Sequence, residues 1–307
     1  MKVSIIGGGG RVGSNAAYAL QLSGLAKELA IVDVAAEMAQ GEALDLRHGA
    51  SIAGSQKIYA GGYEAVAGSD IVVITAGLRR KADESRLELI NRNVVLFKGI
   101  LEEIKKVKLA DNAIILVVSN PVDILTNLAV NTLALPSNRV IGLGTVLDTA
   151  RFRSMLAEYF EVDPTDVDAL ILGEHGDSMV PIWSSATING VPLTGFPNYD
   201  EEKVKGIFDL TKKSGAEVIR LKGGAGYAVG LSIKSVVDAV ILDKKAVMPV
   251  SSLMKGYMGI EGVCFSMPSI IGRGGAEKQI EITLTDDEKA ALINSANVLK
   301  ETLKLVQ

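Results

Sequence analysis

The chain holds two histidines, and one of them, His175, lies in the run Leu172-Gly173-Glu174-His175-Gly176-Asp177-Ser178. Imidazole is the one side chain whose ordinary pKa lies near neutrality, so it suits a reaction that moves a proton at pH 7. A glycine-rich loop flanked by carboxylates can hold such a ring, tune it and leave it open to a small ligand. On its own a histidine is more often structural than catalytic. The chemistry this one could serve is announced by the first 33 residues.

Lys2-Val3-Ser4-Ile5-Ile6 reads as a short buried strand, and Ser14 to Leu20 has helical character. Between them Gly8, Gly10 and Gly13 fit G-x-G-x-x-G. The first glycine permits a tight turn, the second lets the backbone approach a pyrophosphate, and the third allows close strand–helix packing. The phosphates would sit at the helix N-terminus, where free N–H groups and the dipole favour anions. Four consecutive glycines match several registers, so the spacing needs its context. A second strand, 29–33, ends on Asp33, 20 residues after Gly13. An acid there accepts hydrogen bonds from ribose hydroxyls and repels a 2′-phosphate, which favours NAD over NADP. The cofactor surface is expected to include Gly8, Gly10, Arg11, Val12, Gly13, Asp33, Thr75, Ala76, Gly77, Asn93, Val118 and Asn120.

These residues need a scaffold. Strand candidates 2–6, 29–33, 57–60, 70–75, 113–118 and 139–142 alternate with helical stretches 11–23, 37–48, 87–108 and 122–134. That order implies an α/β protein with a Rossmann-type, doubly wound parallel sheet, whose ligand crevice lies at the carboxyl ends of the strands. A second α+β substrate domain follows: a helix at 147–160, a strand at 167–172, helices at 200–221 and 227–244, a strand-rich segment at 246–284 and a last helix at 286–305. The division expected is 1–144 for NAD and 145–307 for the substrate. There is no internal repeat or low-complexity linker, so the two parts should share a broad interface.

Two further clusters carry charge to the crevice. Residues 79–86 hold Arg79, Arg80, Lys81 and Arg86, four cations in eight residues at a strand's ligand-facing end. A solvated turn would look the same by composition, but the position suggests a lid over an anionic substrate. In Leu147-Asp148-Thr149-Ala150-Arg151-Phe152, Asp148 and Arg151 share one helix face. An aspartate beside an imidazole fixes its tautomer, and a guanidinium fork suits a carboxylate. The bland alternative is Asp148 as a helix cap with Arg151 as its surface partner.

Bulk properties exclude much else. The 307 residues are 48% hydrophobic and 22% charged, with formal net charge −4. Mild acidity argues against nucleic acid as the main partner. The single cysteine, Cys264, excludes an intramolecular disulfide and a cysteine-cluster metal site, and no metal is expected. No apolar stretch reaches the roughly 20 residues that span a bilayer, and no signal-peptide pattern precedes Gly7. The chain reads as soluble and cytoplasmic. His48, Trp183 and Cys264 look like packing or surface residues. Apolar stripes at 37–48 and 147–160 could face another subunit.

Taken in order, the glycines, Asp33, Thr75-Ala76-Gly77, Ser119-Asn120-Pro121, the 147–152 run and Gly173 to Ser178 resemble the lactate/malate dehydrogenase family over nearly the whole chain. The resemblance implies that His175 is the proton donor and acceptor and that Asp148 orients it. It makes Arg151 the grip on the substrate's C1 carboxylate and Arg86 the lid residue that polarises the C2–O bond. It makes Asn120 a hydrogen-bond partner of the substrate oxygen, with a cis bond to Pro121. It also implies a homo-oligomer, dimer or tetramer. Substrate choice in the family turns on the lid position held here by Arg80, where malate enzymes carry arginine and lactate enzymes glutamine. Ala225, where lactate enzymes usually have threonine, points the same way. The expectation is therefore an NAD-dependent malate dehydrogenase of the tricarboxylic acid cycle acting on malate and oxaloacetate, with lactate dehydrogenase or another 2-hydroxy acid dehydrogenase of the family as the alternative. Ala82-Asp83 in place of Pro-Gly, and Arg79, depart from the family's pattern. A silent NAD-binding regulator would lack the acid/base or clamp residues, and none is missing. A metal-assisted NAD-dependent glycosidase does not suit these motifs.

Overall fold

The first half alternates apolar runs with helices, and every run but the edge strand at 57–61 becomes a largely buried strand. A computed structural model describes residues 1–78 and 83–306. Strands β1 (Lys2–Ile6), β2 (Glu28–Val32), β3 (Lys57–Gly61), β4 (Ile71–Ile74), β5 (Ile114–Val117) and β6 (Val140–Gly142) lie side by side in the order β3-β2-β1-β4-β5-β6, all parallel. Their register stacks Ile5 against Ile31 and Val73, with Val73 against Leu116. Near-continuous apolar runs are what a sheet covered on both faces requires. The covering helices are α1 (Arg11–Ser23), α2 (Ala36–His48), the single turn α3 (Ala50–Ala53), α4 (Arg86–Lys105) and α5 (Val122–Thr132).

The second half contains α6 (Val146–Phe160), β7 (Val167–Leu172), β8 (Val180–Ile188), β9 (Val191–Pro192), α7 (Glu201–Lys222), α8 (Tyr227–Ile241), β10 (Ala246–Lys255), β11 (Glu261–Gly272), β12 (Gly275–Gln279) and α9 (Asp286–Leu305). The strand-rich segment does not form a separate sheet. β10 pairs antiparallel with β6 at Ser251↔Gly142, so β10, β11 and β12 extend the first sheet to nine strands. The expected boundary at residue 144 falls in the turn between β6 and α6, while strands from both sides of it share one sheet. β7, β8 and β9 make a small antiparallel sheet of their own.

Three apolar clusters result. One joins α1, α2 and α8 to one face of the large sheet, and a second joins α4, α5 and α9 to the other. The third lies between α6, α7, β7 and β8. Trp183 belongs to it, edge-on to Phe152 with ring centroids 5.2 Å apart. Cys264 is buried and unpaired on β11. His48 is exposed at the last residue of α2.

Candidate active site

The turn after β1 brings backbone to backbone. The N–H groups of Gly7 and Gly8 both donate to Val32 O, at 2.8 and 3.0 Å, which ties β1 to the end of β2. Gly7 has φ +86°, and a Cβ there would meet Ala76 N at 2.5 Å. A Cβ on Gly8 would meet Ile31 Cγ2 at 2.6 Å, and one on Gly13 would meet Gly7 O at 2.3 Å. Only glycine fits these positions. Gly10 precedes α1 with no side-chain cap, so the helix's first N–H groups remain open to an anion. Asp33 is fixed beside this loop: Oδ2 accepts from Gly9 N and Oδ1 from Ala35 N, each at 3.0 Å. Each oxygen keeps acceptor capacity for a hydroxyl. This is a cradle shaped for a dinucleotide, and the residues fit NAD.

Other residues expected at the cofactor surface are committed to holding the loops. Thr75 Oγ1 donates to Ile6 O and Gly7 O, both at 3.1 Å. Ala76 O accepts from Ser119 Oγ at 2.5 Å, linking the β4 and β5 exits where Gly77 and Val118 lie. Asn93, buried on α4, accepts from Leu78 N at 2.8 Å and donates to Leu89 O at 3.1 Å, so its amide anchors the loop leaving β4. Val12 is half-buried in the first turn of α1. Arg11 reaches across to the second half, donating to Lys222 O at 2.6 Å and Gly224 O at 3.0 Å. It therefore holds the turn between α7 and α8, in which Ala225 lies.

The proton-handling group forms where α5, α6 and the loop after β7 meet. His175 Nδ1 lies 2.5 Å from Asp148 Oδ2, and Arg151 Nη1 donates to Asp148 Oδ1 at 3.2 Å. Asp148 is not a cap: Thr145 precedes α6, and the Asp148 side chain is 2% exposed. Burial alone would raise its carboxyl, but His175 and Arg151 hold it below the usual range. Burial pushes the His175 ring down, and the charge and hydrogen bond of Asp148 more than offset this, lifting it to about 9. The loop itself is pinned. Gly173, at φ +93°, exchanges main-chain hydrogen bonds with Ser266, Glu174 N donates to Ser295 Oγ at 2.9 Å, and His175 N donates to Asp123 Oδ2 at 2.8 Å.

Arg86 opens α4, just after a capping box made by Ser85 and Glu88. Its guanidinium reaches the histidine loop, 2.5 Å from Asp177 Oδ2 and 3.7 Å from Glu174 Oε1. Asn120 is exposed at the end of β5, and its bond to Pro121 is cis. The structure thus gathers His175, Asp148, Arg151 and Arg86 around one loop. Arg79, Arg80, Lys81 and Ala82 lie outside the described residues. Asp123 and Glu174 were missed as functional residues by sequence reasoning. An acid in a helix's first turn reads as a dipole partner, which hid Asp123. Among the described residues no group of three or more histidine, cysteine, aspartate or glutamate side chains could hold a metal ion.

Comparisons with known proteins agree with this geometry. Residues 1–142 match the profile of the lactate/malate dehydrogenase NAD binding domain, and residues 145–307 match that of its alpha/beta C-terminal domain. The chain belongs to the lactate/malate dehydrogenase family, and its cofactor is NAD. It is 46% identical over 307 residues to L-lactate dehydrogenase 1 of Clostridium acetobutylicum, covering 98% of this chain and 97% of that one. It is 44% identical to the L-lactate dehydrogenase of Acetivibrio thermocellus, covering 99% and 96%. The minor L-lactate dehydrogenase of Enterococcus mundtii superposes with TM-score 0.95 at 37% identity, covering 100% and 98%.

These relatives overturn the malate expectation drawn from Arg80 and Ala225, and with it the tricarboxylic acid cycle and the dicarboxylate substrate. The physical reason is that specificity is a difference of affinities over a whole pocket, not the charge of one lid residue. Among the described residues the cations at this mouth are offset: Arg86 sits on Asp177 and Glu174, and Arg92 sits 2.6 Å from Glu84. Counting lid cations therefore overstates the attraction for a second carboxylate.

Proposed function

We propose that the chain is an NAD-dependent L-lactate dehydrogenase, interconverting lactate and pyruvate. The observation that carries the chemistry is the His175–Asp148–Arg151 group, an imidazole fixed through Nδ1 by a buried carboxylate. The full-length relatives named L-lactate dehydrogenase support the substrate. Gly8, Gly10, Gly13 and Asp33 hold the cofactor, which when bound supplies the acceptor for the hydride that leaves C2 of lactate.

Arg151 grips the C1 carboxylate as a planar fork. Arg86 exchanges Asp177 and Glu174 for the C2 oxygen, and Asn120 donates to that oxygen. Neutral His175 takes the hydroxyl proton of lactate at Nε2, since Nδ1 is engaged. In the reverse direction the imidazolium returns that proton to pyruvate. Asp148 stabilises the ring while it is charged. Fixed charges that need not reorganise provide much of the rate. The chain acts as a homo-oligomer. No helix among the described residues is long and apolar enough to cross a membrane.

The test is NADH oxidation followed spectrophotometrically with pyruvate and with oxaloacetate. Higher kcat/KM for pyruvate is expected, and a preference for oxaloacetate would overturn the assignment.

A further inference from the structure

Beyond pinning the histidine loop, Asp123 has no part in the chemistry assigned above. It stands in the first turn of α5 with a carboxylate 2% exposed. Its Oδ2 accepts the main-chain N–H of His175 at 2.8 Å. Its Oδ1 is buried and reaches no full hydrogen-bond geometry among the described residues, and the equally buried hydroxyl of Ser251 on β10 is the group whose dipole favours its charged form. The cation it meets is His175 itself. Holding a main-chain N–H needs no charge, because an asparagine amide oxygen would accept it equally well. Burying a carboxylate is costly unless a positive partner repays it. What the carboxylate adds is a negative field on a ring that must bind a proton.

We propose that Asp123 is a positioning residue that sets the proton affinity of His175, holding its main chain with one oxygen and favouring its imidazolium by charge. This rests on His175 as the proton donor of the proposed reaction. From α6, Asp148 and Arg151 face the same ring, the first raising its affinity and the second lowering it. Glu174 adjoins Asp123 from the histidine loop, and the Cys264 thiol faces it from β11, pushed well up by burial and by Asp123. Burial pushes the Asp123 carboxyl up to about 6, against the opposing pull of Ser251 and His175. It is therefore charged at neutral pH while the imidazolium lies beside it.

The test is NMR titration of the ring C–H signals of the full-length chain, which has only His48 and His175. Exposed His48 serves as the reference signal, and circular dichroism checks the fold. In Asp123→Asn the His175 titration should fall by roughly one pH unit, because a nearby negative charge has been removed. The alkaline limit of pyruvate reduction should move down with it. An unmoved His175 titration in folded Asp123→Asn overturns the proposal. Should that variant not fold, Asp123→Ser decides: it removes the charge and keeps a short acceptor near the loop, so the His175 titration should fall by a similar amount, whereas an unmoved titration overturns the proposal. Failure of the wild-type chain to reduce pyruvate would overturn the proposed function and leave the titration to judge Asp123.

Discussion

A histidine whose Nδ1 already meets a buried carboxylate has one nitrogen left for chemistry, and this decides what its loss should cost. His175→Ala should lower kcat by about 10³-fold, within the range for removal of a general acid–base. NADH affinity, measured by fluorescence titration, should stay near wild type, because the glycine cradle and Asp33 are built on other elements. Undiminished turnover would remove the ring from the mechanism. The raised pKa gives a second expectation with a definite sign. The folded value of about 9 lies above the ordinary 6.5, so the ring's contribution to stability is complete below about 6.5 and disappears as pH rises through about 9. Urea midpoints should fall across that window, and pyruvate reduction, which needs the imidazolium, should fall with them. A flat profile through it would show that Asp148 does not hold the proton on His175.

The glycine-rich turn works as an element because β1, α1 and the β4 exit approach closer than any side chain permits. In Gly13→Ala the new Cβ would lie 2.3 Å from Gly7 O, and neither backbone atom can yield without moving α1 off β1. Overpacking of this kind costs about 1–3 kcal/mol. NADH binding should weaken about tenfold or more, equivalent to about 1.4 kcal/mol or more, and wild-type affinity would mean the cradle does not bear the cofactor. This part of the molecule was legible in the chain: buried parallel strands print as apolar runs, and the fingerprint sits between two of them. Gly7 was not singled out, since its need arises from Ala76, distant in sequence. β8 and β9 were not foreseen either. Ser184-Ser185 interrupts the apolar pattern of β8, and these serines sit at the α9 end, where Glu288 binds Ser184. The merging of β10–β12 into the first sheet depends on pairing between β6 and β10, which no local pattern encodes. At the site, Asp148 and Arg151 were legible from helical spacing, whereas the joining of Arg86 to Asp177 and Glu174 is a long-range meeting.

Across the whole molecule, apolar surface that finds no partner within the chain marks where another surface belongs. The stripe on α6 is used internally: Phe152, Leu156 and Phe160 are buried in the third cluster, so this helix does not present the subunit face that its pattern suggested. α1, α2 and α8 differ. Their inward residues cover the large sheet, yet Tyr18, Leu22, Met38, Leu44 and Leu231 are exposed on the outside. Single exposed apolar residues are ordinary, but several on neighbouring helices are what association surfaces provide. α1 and α8 are locked face to face, with Asn15 O only 2.8 Å from where a Cβ on Gly230 would lie, so they present these side chains on a rigid platform. Light scattering of the purified chain should therefore give a mass that is a multiple of 32.3 kDa. Leu22→Lys combined with Met38→Lys should move the population toward the single chain, because two charges would have to be desolvated in an apolar contact. The folded content seen by circular dichroism should be unchanged, since both side chains already face solvent within one chain. A wild-type mass equal to one chain, or an assembly indifferent to both charges, would place the subunit contact elsewhere or nowhere.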